Sequence, residues 1–130
     1  MEILPQNRRL EHVLAAGPRA FDVTSLLKAI AEAHYYYACA GKGFLGIPME
    51  GKLLVPIFTR EQWVRDFFVP KKAVEVLVAE GGAQDIFERA LEQDVHEFVF
   101  NPNLPALPFV IPRATMQRIL GDRAESDESV

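Results

Sequence analysis

Cys39, His34 and His96 are the side chains best equipped for covalent chemistry, because an imidazole beside a thiol lowers its effective pKa and can take its proton. Such a pair would supply a nucleophile and a base. The same cysteine stands between Ala38 and Ala40 in an apolar run, however, where a free thiol ordinarily packs as a small hydrophobe. Gly41-Lys42-Gly43-Phe44-Leu45-Gly46 spells Gly-x-Gly-x-x-Gly, and Glu61 follows Gly41 by about 20 residues, the spacing of a ribose-binding carboxylate. That chemistry needs a helix to start at the glycines and receive a pyrophosphate on its N-terminus, and Pro48 and Gly51 forbid one. The run therefore reads as a strand-to-strand turn. It is no P-loop either, since neither Ser nor Thr follows Lys42. His12, His34 and His96 lack the short spacings of structural zinc sites, and one cysteine cannot furnish a thiolate set. No metal or other cofactor is expected. Asp85, Glu88 and Glu92, with Arg89 among them, read as a solvated helix flank rather than as an acid-base pair. No catalytic residue is assigned on these signals.

Recognition is better served than catalysis. Asn101-Pro102 opens a proline-rich stretch in which Asn can bond its own backbone and Pro fixes the direction of exit from a strand. Beyond turn-making, Asn101, Pro102, Leu104 and Pro105 form a candidate recognition loop, since loops held by rigid elements carry much of protein function. Trp63, Phe67 and Phe68 form a second candidate contact patch, because aromatic residues are enriched at protein interfaces.

The elements that must position these residues are legible in the periodicity. Asn7 is placed to cap a short helix carrying Leu10, Val13 and Leu14, which Gly17-Pro18 ends. Phe21, Asp22 and Leu26 fit a stapled helix start, and Leu26, Leu27, Ile30 and Ala31 recur at helical spacing to about His34. Tyr35 to Ala40 reads as a strand on which Tyr36 faces opposite to Tyr35 and Tyr37. Phe44 to Pro48 and Lys52 to Phe58 follow as a hairpin turned at Met49-Glu50-Gly51, giving an antiparallel meander. Thr59 and Gln62 match a capping box, with Phe58 and Trp63 as its hydrophobic staple, so a helix starts there and ends before Pro70. Val74 to Ala79 reads as a strand closed by Gly81-Gly82, Ala83 to Gln93 as an amphipathic helix, Phe98 to Phe100 and Phe109 to Ile111 as strands. Arg113 to Leu120 is a last helix, stopped at Gly121.

At 130 residues, half of them hydrophobic and a quarter charged, the chain suits one globular domain with a core of its own. The single cysteine makes an internal disulfide impossible and leaves the cytoplasm as the default compartment. Residues 1 to 9 lack the apolar segment of a signal peptide, and no run approaches the roughly 20 apolar residues of a membrane span. The net charge of -4 lies largely in the last ten residues, where Asp122, Glu125, Asp127 and Glu128 face only Arg123. With basic residues scattered over a near-neutral body, nucleic-acid binding is not expected. The acidic end, from Asp122 to Val130, cannot offset its ordering entropy by burial and is expected to be a disordered tail. The reading is one α+β domain over residues 1 to 121, an antiparallel or mixed sheet of about five strands with helices packed against it.

The succession of a strand ending Val-Pro-Ile-Phe-Thr at 55 to 59, a helix, a strand, a helix, Phe-Val-Phe-Asn-Pro at 98 to 102 and Val-Ile-Pro at 110 to 112 resembles the N-terminal domain of the SseB family, named for enhanced serine sensitivity. The resemblance runs from about Leu10 to Leu120. It implies no enzyme and no set of catalytic residues; longer members carry a second domain that this sequence lacks after Leu120. The expected function is accordingly a non-catalytic interaction or regulatory module that binds a protein partner through the Asn101 to Pro108 loop and the adjacent aromatic surface. The alternative is a small-molecule binder or enzyme using Cys39 and a histidine, and a third reading is a scaffold subunit of a homo-oligomer.

Overall fold

The computed structural model describes residues 4–16, 23–40, 43–68, 77–102 and 109–128, and the side chains of these except 16, 23, 40 and 122–128. Phe21 and Asp22, the Gly41-Lys42 step, Val74 and the loop positions Leu104 and Pro105 lie outside the described residues. The described residues form helix α1 (Pro5–Ala16), α2 (Val23–Glu32), strands β1 (His34–Ala40), β2 (Gly43–Phe44), β3 (Ile47–Met49) and β4 (Lys52–Ile57), helix α3 (Glu61–Phe68), β5 (Leu77–Gly82), α4 (Ala83–Glu92), β6 (Glu97–Phe100), β7 (Phe109–Pro112) and α5 (Arg113–Glu128). This is an α+β fold, with helices packed on sheets.

The strands make two sheets rather than one, in the orders β2-β1-β5 and β3-β4-β6-β7. They are joined where the chain leaves β4: Phe58 exchanges backbone hydrogen bonds with Tyr36 of β1, at 2.8 and 2.9 Å. The smaller sheet is antiparallel throughout. In the larger one β3 and β4 form the expected hairpin, turned by Glu50 and Gly51 at φ of 52° and 79°, the two left-handed residues of a type I′ turn. β4 and β6, however, run parallel, so the meander does not continue past β4. The reason is the intervening α3-β5-α4 segment, long enough to carry the chain back over the sheet before β6 begins.

Alternation along β1 sends Tyr35 and Tyr37 into the main core and Tyr36 to the other face, as the sequence leads one to expect. The main core is threaded by a chain of rings: Phe109 on Phe100, Phe100 on Tyr35, Tyr35 on Phe87, Phe87 on Phe98, Phe98 on Phe44, Phe44 on Tyr37, with centroids 4.8 to 6.3 Å apart. Helices α1, α2, α4 and α5 cover that core through Leu10, Ile30, Ile86 and Met116. Each such side chain is worth about 1.5–3 kcal/mol relative to leaving it exposed. The buried phenol of Tyr35 donates to the Ile30 carbonyl at 2.6 Å, and desolvation pushes its pKa well up, so it remains a neutral donor. On the opposite face of β1, α3 packs Val64 and Phe68 onto Ala38 and Phe58, forming a second, smaller cluster.

Four local expectations are corrected. Asn7 does not cap α1, because the helix already starts at Pro5, where a missing N–H costs nothing, and the Leu4 carbonyl accepts from Asn7 and Arg8. The Thr59 hydroxyl and Gln62 do not build a capping box, since both side chains have other partners: Thr59 those of the site below, Gln62 the Asp66 carboxylate one turn on, at 2.9 Å. α5 runs through Gly121 to Glu128, over most of the segment expected as a disordered tail. Glycine lowers helix stability without forbidding a helix, and the sequence reading gave it the role of a stop it does not play here. Gly81 and Gly82, likewise, stay inside β5 opposite Tyr35 and His34.

Candidate functional site

The exit ends of the parallel strands β4 and β6 lie side by side, and polar side chains from three distant segments converge there. Asn101, the first residue after β6, is 3 % exposed and adopts φ of 47°, a left-handed conformation that Asn tolerates better than most residues. That turn aims its amide back at β4. Its Oδ1 accepts the Thr59 N–H at 3.0 Å, its Nδ2 donates to the Thr59 hydroxyl at 3.2 Å, and its own N–H donates to the Ile57 carbonyl at 2.9 Å. The Thr59 hydroxyl in turn donates to Glu11 Oε2 at 2.5 Å. Glu11, from α1, is clamped by Arg60 through Nε at 3.2 Å and Nη2 at 2.8 Å, a two-pronged charge-assisted pair. That bond to Glu11 raises the Arg60 pKa further, keeping the guanidinium charged.

Asn7 completes the arrangement from the first turn of α1. Its Oδ1 accepts the His34 N–H at 2.7 Å, while Nδ2 donates to the His34 carbonyl at 2.7 Å and to the Thr59 carbonyl at 3.0 Å. One side-chain amide thus serves the start of β1 as a neighbouring strand would, continuing the edge that Phe58 pairs at Tyr36. Among the described residues no buried side-chain N or O atom is left without a partner. A carboxylate held by two guanidinium nitrogens and a hydroxyl is not free to act as a base, so the cluster works as a bracket between α1, β1, β4 and β6.

The outward side of this bracket is a surface. The Arg60 guanidinium lies 4.4 Å over the ring of Trp63, which is half-buried against the smaller cluster. Next to it on the sheet, His34 Nε2 stands 3.1 Å from Glu80 Oε1, and the His34 ring meets Tyr36 edge-on at 5.4 Å. Desolvation first, then the negative charges of Glu80 and Glu61, push the Tyr36 phenol up. Of the residues expected to make contacts, Trp63, Phe67 and Phe68 fall together on α3, with Phe68 buried, Phe67 half-buried against Phe58 and Trp63 the one beside the polar surface. Asn101 belongs to the bracket, Pro102 is half-buried beside it, and Leu104 and Pro105 are not described.

The cysteine-histidine constellation is not brought together. His34 and Cys39 are five residues apart on one strand, about 17 Å along it and on opposite faces. His96 is tied elsewhere, its Nδ1 accepting from the Leu53 N–H at 3.0 Å, and the Cys39 thiol points to the Leu77 carbonyl at 3.6 Å. Among the described residues no group of three His, Cys, Asp or Glu side chains could hold a metal ion. No described helix is long and apolar enough to cross a membrane. Gly43 and Gly46 lead into strands, and a Cβ on Gly46 would stand 2.8 Å from the Leu54 carbonyl oxygen, so that glycine is required by the close approach of the backbone. A cleft of about 540 Å³ opens between the end of α2 and the start of α4, with Glu32, Asp85 and Glu88 on its rim.

The sequence reading missed Asn7 and Glu11 as partners of Thr59, 52 and 48 positions away in the chain, and Arg60 as the partner of Glu11, 49 positions away. A polar residue on the apolar stripe of α1, as Asn7 is, was the available signal. No family model matches the sequence, and no curated protein matches it either.

Proposed function

We propose that the chain is a non-catalytic protein-interaction module of the SseB-like type, acting in the cytoplasm, whose contact surface is centred on Trp63 and Arg60 rather than on Asn101. The observation that carries this reading is the stacked Arg60–Trp63 pair at the surface, fixed from below by Glu11, Thr59 and Asn101. Arg and Trp are the residue types that most often dominate binding energy at interfaces, and here both are held in place before any partner arrives. Tyr36 and His34 extend the same surface. The groups that would be needed for acid-base or nucleophilic work are engaged in the bracket or stand apart on opposite faces, which favours binding over turnover.

The reading is tested with the purified chain as bait in native lysate, beside the Trp63→Ala and Arg60→Ala variants. Proteins retained by the unmodified chain should be lost from both, by about 30-fold in affinity for a contact of this class. Retention of the same proteins by all three baits overturns the proposed surface, and turnover of a metabolite by the purified chain overturns the module itself.

A further inference from the structure

The outer edge of β5 is built to accept another strand. Tyr36 and Phe58 exchange hydrogen bonds, Ala38 accepts from Leu45 and His34 is served by Asn7, so the peptide groups of His34, Tyr36 and Ala38 all point away from β5. In an antiparallel ladder their partners Gly82, Glu80 and Val78 must then point away from β1. Val78 and Glu80 each offer an N–H and a carbonyl outward; Gly82, preceding α4, offers its N–H. Among the described residues no strand and no backbone hydrogen bond reaches that edge. Of the usual guards it carries only the charge of Glu80: Leu77 to Gly82 contains no proline and no lysine, and Leu77 is 60 % exposed, the most of any large apolar side chain described.

Charge decides what fits. On the α3 side of the sheet an added strand meets Glu80, exposed and 3.1 Å from His34; on the other side Asp85, exposed and 3.6 Å from Arg89, overhangs Gly81, its Oδ2 3.2 Å from where a Cβ would stand. The strand then runs out at Gly82 into the cleft rimmed by Glu32, Asp85 and Glu88. A second copy of β5 paired about Glu80 would bring that carboxylate against its own kind, whereas Lys or Arg opposite Glu80 and Gly81, with an apolar residue opposite Leu77, satisfies each position. We infer that β5 binds an extended basic segment of a partner protein by strand addition, two adjacent Lys or Arg lying three positions from an apolar residue.

The inference rests on the interaction reading above but on a different surface. Two probes suffice for both directions of the added strand, acetyl-Thr-Lys-Lys-Thr-Val-Leu-amide and its reversed sequence, each compared with a version carrying Glu for Lys and one with alternate amides N-methylated. Amide hydrogen exchange read by NMR should slow at Val78 and Glu80 with one lysine probe, and binding should weaken about tenfold for the glutamate version and for the Glu80→Lys chain. The N-methylated probe should not protect those amides. The idea is overturned if neither lysine probe protects them, if the glutamate or N-methylated probe does so equally, if they are already protected in the dilute free chain, or if protection grows with chain concentration alone, which would mark a second copy. Undiminished bait capture by Trp63→Ala with peptide protection intact would strike the proposed surface and leave this one standing; loss of capture with no peptide protection would do the reverse.

Discussion

Asn101 combines a conformation and a set of bonds that substitution can separate. Replacing it by glycine keeps φ of 47° accessible and removes the two side-chain bonds to Thr59, an expected loss of about 2–3 kcal/mol for buried groups. Alanine loses the same bonds and adds the left-handed penalty of about 1 kcal/mol, so Asn101→Ala should be less stable than Asn101→Gly in urea unfolding. Equal midpoints would show that the turn stores no strain. The residue was singled out in the sequence for its place beside Pro102, which is sound chemistry for a turn. Nothing local could reveal that its amide faces inward to Thr59, because the parallel pairing that juxtaposes them depends on everything between positions 59 and 101. The same holds for Glu11 and Arg60, whose charges look like ordinary surface residues until α1 is docked.

At the level of elements, what periodicity encodes was readable. α4, β1, β4 and β6 stand close to where alternation, helical spacing and the Glu50-Gly51 turn put them, since each is decided by neighbours in the chain. Short pieces were read less closely: the one strand expected from Phe44 to Pro48 is divided into β2, of two residues, and β3, of three, which join different sheets. Gly121 was misread because glycine is informative at a helix end only when the chain turns there. Within α5 it is exposed and a Cβ would meet nothing within 4 Å. Gly121→Ala should therefore raise stability by about 0.5–1 kcal/mol, seen as a higher melting temperature and stronger helical circular dichroism. A helix that stopped at Gly121 in a left-handed cap would instead lose stability on the same change.

For the whole molecule, the described residues tie the two sheets through the Tyr36–Phe58 backbone bridge and through the ring chain of the core, and this shapes the response to base. Tyr35 and Tyr36 both have phenols pushed up from their ordinary value of 10.0, the first by burial, the second by desolvation and then by Glu80 and Glu61. A group whose pKa is raised by folding contributes stability fully present below its unfolded pKa and lost as pH climbs past it. The chain should hold its stability through neutral pH and lose it progressively above about pH 10. Chemical denaturation across pH 8 to 12 measures this, and Tyr35→Phe should flatten the alkaline fall even though it costs the bond to Ile30. The division of the seven described strands into two linked sheets was the part of the architecture least open to a reader of the chain, since the bridge that links them joins Tyr36 to Phe58 across distant sequence.

Asn7 has a bearing on how copies of this chain avoid one another. By posing as the missing strand beside His34, it closes the end of an edge opposite the open one on β5. Were α1 to detach or be clipped away, the small sheet would carry two unlike open edges facing in opposite directions, each with free N–H and carbonyl groups. Contacts between unlike edges do not close on themselves, so association would proceed without limit, one chain adding to the next. A single amide in the first turn of a helix thereby stands between a discrete molecule and a filament.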